Sequence, residues 1–188
     1  MDKTQFISGV FDIYDERLLE SRLTEEGNVC GALLKDLTLY DDCGLSAKDF
    51  VTKSGRLLFT IGRQIRDKKC NTFDEITFLS NANEDVKDEI NNEFGGFKLI
   101  QNVMDAVSLK NYDSFLDDLN KSNIMLSLHR KNFNLLEEMT LDNGKKVVPY
   151  QLFKKFTACE VIDFYEGTLA TLDTKINSLN DLLFDIGK

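Results

Sequence analysis

The chain has no tryptophan, one proline (Pro149) and one histidine (His129) in 188 residues. A single proline and 11 glycines leave few interruptions. That disfavours a turn-rich β fold and favours helices. Without tryptophan, aromatic packing rests on 14 phenylalanines. One histidine means that a His-based metal site or a His-dependent nucleophile would have to use His129. His129 lies between Leu128 and Arg130 in a helical pattern and reads as a packing or surface residue. The four cysteines, Cys30, Cys43, Cys70 and Cys159, form no CxxC pair. Cys30 and Cys159 stand among apolar neighbours at helical spacing and read as buried thiols of a reducing compartment.

No run of 18 apolar residues occurs, and Met1-Asp2-Lys3 opens a mixed segment rather than a signal peptide. A cytoplasmic protein with no membrane partner is expected. A net charge of −9, with no basic run longer than Arg66-Asp67-Lys68-Lys69, predicts little direct nucleic-acid binding. No P-loop is present. Gly95-Gly96-Phe97-Lys98, Gly144-Lys145-Lys146 and Gly187-Lys188 all lack the two spaced glycines followed by Lys and a hydroxyl residue that such a phosphate cradle needs. The acidic doublets Glu25-Glu26, Asp41-Asp42, Asp117-Asp118 and Glu137-Glu138 point about 100° apart on a helix. They read as solvated faces, and neither a catalytic residue, a metal nor a cofactor is expected.

What the chain does have is helical periodicity. The pattern predicts an all-α protein: a small helical bundle, an antiparallel helical hairpin and further C-terminal helices. Residues 1–22 form an arm with a short helical turn near Asp15–Ser21, 23–96 the bundle, 97–141 the hairpin, and 142–188 C-terminal linker helices. Thr24 is expected to cap the first bundle helix. Asp36, Thr52, the box Thr72-Phe73-Asp74-Glu75, Asn83 and Thr157 are expected to cap later ones. Ser46 begins a turn, Val86, Ile90 and Phe94 recur at four-residue steps, and Pro149 follows an extended Val147-Val148 or opens a helix. Gly95 and Gly96 form a hinge into the hairpin. Phe97, Ile100 and Met104 from its first arm, with Tyr112, Phe115, Leu116 and Leu119 from its second, are the expected seam. The second arm is expected to run on through Phe133, Leu135, Leu136 and Met139 to the turn Asp142-Asn143-Gly144. Ile124, Met125 and Leu128 fall on another side. They are candidates for a subunit or partner contact, or for burial against the chain's own C-terminal helices.

An ordered series of motifs carries a resemblance. Glu26 to Lys35 (EGNVCGALLK), the Asp49-Phe50 step before Arg56-Leu57-Leu58-Phe59, Thr72 to Leu79, Gly95-Gly96-Phe97, and Asn111-Tyr112 through Leu119 follow one another over roughly residues 24–132. The series resembles the N-terminal domain of DnaB-type replicative DNA helicases. More faintly, Thr157 to Leu172 is similar to the linker helix before that family's motor domain. Asp113, Asp117 and Asp118 load the hairpin with acid where the family carries more Arg and Lys, and residues 133–156 lack a family counterpart. The resemblance is thus to a divergent, phage-type member in a bacterial cytoplasm. It implies a non-catalytic assembly domain whose hairpins pair as dimers or a trimer of dimers. Such a collar docks the C-terminal domain of primase or a helicase loader, and residues 142–188 would lead toward a motor domain outside this chain. The alternative is a free-standing regulator that mimics the domain to bind a helicase.

Overall fold

The computed structural model describes residues 13–170, residue 94 excepted. The fold is predominantly helical, with one two-stranded ladder among the described residues. The chain divides into two compact units between Leu126 and Ser127.

The first unit opens with α1 (Glu16–Leu19), where the Asp15 side chain accepts from Arg17 N. Helix α2 (Arg22–Lys35) follows and is the unit's central helix. It starts from Ser21 rather than from Thr24. The difference has a tertiary cause. The Arg22 side chain is wholly buried and bonded one turn ahead to Glu26, which draws the first turn inward. Asp36 ends α2 and caps a 3-10 turn, Leu37–Asp41. Ser46 and Asp49 exchange bonds around a second 3-10 turn, Ala47–Asp49.

Thr52 caps α3 (Lys53–Asp67) by accepting from Gly55 N at 2.9 Å. On its inner face Leu58, Phe59, Ile61 and Ile65 are buried and Leu57 is half-buried. Helix α4 (Glu75–Asn81) is capped by Asp74, which accepts from Thr77 N at 2.7 Å; Thr72 is not its cap. The carboxylate two residues later is nearer the free N–H groups, and those bonds hold the Asp74 carboxyl below its ordinary range. Only Phe78 of α4 is buried, and Ile76 and Leu79 lie on its exposed side. Asn83 caps α5 (Glu84–Glu93) through Val86 N. Of its expected stripe Ile90 is buried and Val86 packs at the edge of the core, while Phe94 lies outside the described residues.

Next come α6 (Phe97–Ala106), a 3-10 turn at Leu109–Asn111, and α7 (Tyr112–Arg130). The two consecutive helices are present, but their expected mutual packing is corrected. Helix α6 has its extensive contact with α2, and α7 is not among its extensive neighbours. The α2–α6 crossing is close because Gly31 has no side chain: a Cβ there would stand 2.6 Å from the Val103 carbonyl oxygen. From the end of α2, Lys35 Nζ donates to the carbonyls of Met104 (3.3 Å) and Val107 (2.9 Å), closing the C-terminus of α6 with a cation.

A second correction concerns the end of α7. The helix does not run on to Asp142; it stops at Arg130. Asn132 takes a left-handed φ of 59°, Asn132 N donates to His129 O and Phe133 N to Leu128 O. This is a Schellman stop with asparagine in the position glycine usually fills. Residues 133–138 are then non-helical, and β1 (Met139–Thr140) pairs antiparallel with β2 (Lys146–Val147). Asp142-Asn143-Gly144 is the turn expected, with Gly144 at φ 78°, but it joins strands instead of helices.

In the second unit, Pro149 opens α8 (Pro149–Phe153), and Tyr150 N donates to Leu135 O at 2.8 Å. Thr157 and Glu160 bond reciprocally at the start of α9, the helix over 158–170. Phe153, Phe156 and Phe164 form one aromatic cluster and Phe133–Tyr165 an edge-on pair. Leu135, Phe153 and Val161 are the buried centre. Residues 1–12 of the expected arm and the amphipathic segment Ile176, Leu179, Leu182, Leu183 and Ile186 lie outside the described residues.

Candidate functional site

The hinge glycines hold left-handed backbone, Gly95 at φ 78° and Gly96 at φ 80°. Side chains with a Cβ rarely adopt this conformation, so the pair is what turns the chain into α6. All seven expected seam residues belong to the first unit's core or pack against it. Ile100, Met104 and Leu119 are buried, while Phe97, Tyr112, Phe115 and Leu116 are half-buried. They are distributed differently from the expectation. Phe97 stacks on Phe73 at 5.9 Å and tilts against Phe78 at 5.7 Å, partners from before the hinge.

Of the three candidate contact residues, two take the alternative given for them, burial within the chain. Met125 is 6% exposed and Leu128 4%, so neither is available to a second chain in this conformation. Both continue the stripe Leu119, Ser122, Leu126 at three- and four-residue steps, and it is buried to the last turn of α7. Ile124 alone keeps partial exposure.

The polar centre of the first unit lies elsewhere and includes Glu26, half of a doublet read as solvated. Glu26 is 1% exposed, and with Arg22 and Thr52, both wholly buried, it forms a hub. Arg22 Nη2 donates to Glu26 Oε1 (2.8 Å) and to the Asp49 carbonyl (2.8 Å), and Nη1 reaches the Leu119 carbonyl of α7 at 3.4 Å. Glu26 Oε1 also accepts from Val51 N (2.7 Å), and Oε2 from Thr52 N (3.0 Å) and from the Thr52 hydroxyl. Thr52 Oγ1 in turn accepts from Gly55 N. One ion pair therefore fastens α2, the 46–52 connection, the start of α3 and the middle of α7. An Arg–Glu pair this deep is tolerated only when its remaining donors and acceptors are used, as these are. The sequence signal was Arg22 four residues before Glu26 on a largely apolar helix. The hub's bonds are consumed in joining elements, so its chemistry is structural.

Beside it, Tyr40 donates to the Phe59 carbonyl at 3.3 Å, and Arg63 lies 5.1 Å over the Tyr40 ring. Burial pushes the Tyr40 phenol and the Cys30 thiol well above their ordinary ranges. The Tyr112 hydroxyl finds no hydrogen-bond partner among the described residues. Burial, reinforced by Cys43 and Asp113, raises its pKa to about 12. Cys43 is buried like Cys30, but Cys159 is exposed, contrary to expectation, because the buried face of α9 runs through Val161 instead.

Among the described residues, no group of three or more His, Cys, Asp or Glu is placed to hold a metal ion, and no helix is long and apolar enough to cross a membrane. Comparison with protein-family models, with curated proteins and with solved structures finds no match to this chain.

Proposed function

We propose that this chain is an assembly and docking domain of a replicative DNA helicase, acting through its own association and through binding of a primase C-terminal domain or a loader. The observation that carries the reading is where the resembling motifs fall. Glu26 is the centre of the hub, Asp49-Phe50 supply a carbonyl to Arg22 and a ring to the core, and Gly95-Gly96 turn the chain into α6. The motif residues are thus the joints of one helical bundle, as in a domain whose task is to hold shape for partners. Bonds at the hub are internally satisfied, and a rigid bundle presents its surfaces with little ordering cost on binding.

Light scattering across a concentration series, with titration of a bacterial primase C-terminal domain, tests the reading. Association to a dimer or higher state is expected, weakened by Ile124→Asp, a change at a half-buried position that leaves the helical circular-dichroism signal in place. A strict monomer that binds neither primase domain nor loader overturns it.

A further inference from the structure

The second unit contains a groove of about 350 Å³ between the β-ladder and α8, lined by Glu138, Lys145, Lys146, Val147, Val148, Gln151, Leu152 and Lys155. Most of the lining lies within a stretch of this acidic chain that carries no acid. Between Asp142 and Glu160 the charged residues are Lys145, Lys146, Lys154 and Lys155 only. Lys146 is engaged by Glu138 at 2.8 Å in an exposed pair, and Lys154 covers the Tyr150 ring at 4.4 Å. Lys145 and Lys155 are exposed and make no ion pair among the described residues. The lining alternates these cations with half-buried Val147, Val148 and Leu152.

Register supplies the second observation. Leu141 N donates to Lys145 O at 2.8 Å, making 141 and 145 a bonded pair. The next pair, Thr140 with Lys146, is then the non-bonded kind of an antiparallel ladder. The N–H and C=O of Lys146 consequently point away from β1, to the open edge of the sheet. An edge donor and acceptor, flanking ammonium groups and an apolar floor together match an extended peptide whose acidic side chains alternate with apolar ones.

We infer that the groove between β2 and α8 is a docking site for an acidic, extended peptide segment, which adds a strand beside Lys146 and sets its carboxylates against Lys145 and Lys155. A nucleic-acid strand fits less well. Four lysines on a chain of net charge −9 make no long basic track, and the ring of Tyr150 is already covered by Lys154. The inference does not depend on the helicase reading, because it uses only the second unit.

The test is titration of the full ¹⁵N-labelled chain with an octapeptide alternating glutamate and valine. Saturable shifts are expected at the amides of 145–148 and 151–155, with affinity that falls as salt rises. Lys145→Glu/Lys155→Glu is expected to weaken binding at least about tenfold, as reversal of two flanking charges should. The uncharged pair Lys145→Gln/Lys155→Gln, which adds no repulsion, should fall between that variant and wild type. Both positions are exposed, and the rest of the spectrum reports that the fold is kept. Four outcomes overturn the proposal: no saturable shifts, binding unchanged in both double variants, equal binding of free glutamate at the same carboxylate concentration, or equal or tighter binding of octathymidylate.

Discussion

At the scale of single residues, the first unit depends on a carboxylate that looks like half of a surface doublet. Removing Glu26 leaves the buried Arg22 with only the longer 3.8 Å contact to Glu25 and deprives Val51, Thr52 and the Thr52 hydroxyl of their acceptor. Glu26→Ala should therefore cost about 3–5 kcal/mol in urea denaturation. The double change Arg22→Met/Glu26→Leu should cost clearly less than the sum of the single changes, because it removes both charges together. Additive losses would show that the pair is not coupled. Tyr112 makes the opposite prediction. Its buried hydroxyl has no bond to lose, so Tyr112→Phe should be neutral or stabilising by about 0.5–1 kcal/mol at neutral pH. Its pH dependence follows from the raised pKa. The folded protein keeps the phenolic proton to about pH 12, whereas an unfolded phenol gives it up near its ordinary 10.0. Unfolding in that window releases a proton, so the contribution is intact below pH 10 and declines toward pH 12. Denaturation midpoints from pH 9 to 12 should fall more steeply for wild type than for Tyr112→Phe.

At the scale of elements, the α2–α6 crossing organises the first unit. Gly31 lets the two backbones meet at Val103, so Gly31→Ala must push them apart. A cost of about 1–3 kcal/mol is expected. Amide exchange should accelerate first in α6, whose C-terminal carbonyls also lose register with Lys35. Unchanged protection in α6 would place the crossing elsewhere. Gly62 plays a similar part on α3, where a Cβ would stand 2.7 Å from Leu34 Cδ2 and closer still to the Tyr40 hydroxyl. Small residues on helices that look merely permissive are here the places where neighbouring elements come close.

At the scale of the whole chain, charge is divided unevenly. Residues through Leu126 carry 23 acidic and 15 basic side chains, a net −8, and the remainder carries 9 and 8, a net −1. Most of the self-repulsion therefore belongs to the first unit. Raising sodium chloride from about 20 mM to about 0.5 M, where the Debye length falls from roughly 20 Å to roughly 4 Å, should raise its melting temperature. A melting temperature that drops with salt would mean that surface ion pairs such as Lys53–Glu89 and Arg66–Asp41 outweigh the repulsion. The same division explains why a basic groove can persist in an acidic protein: it sits in the unit that is nearly neutral.

Much of the local architecture was legible in the sequence. Asp36, Thr52, Asn83 and Thr157 cap where their side chains predict, Gly95-Gly96 turns the chain, and Pro149 opens a helix. These features depend on atoms a few residues apart, so spacing alone determines them. Even the end of α7 was written locally, in Asn132 followed by Phe133, although helical periodicity beyond it suggested continuation. The partner of each face was not legible. Amphipathicity says that Ile100 and Met104 must be covered, but not that their helix lies closest along α2. Likewise, whether Glu26 faces water or the interior was decided by groups brought from 26 residues away at Thr52 and, through Arg22, 97 residues away at Leu119. Local bonding sets where helices start and stop, but a buried charge or a shared face is defined only once distant chain has closed over it.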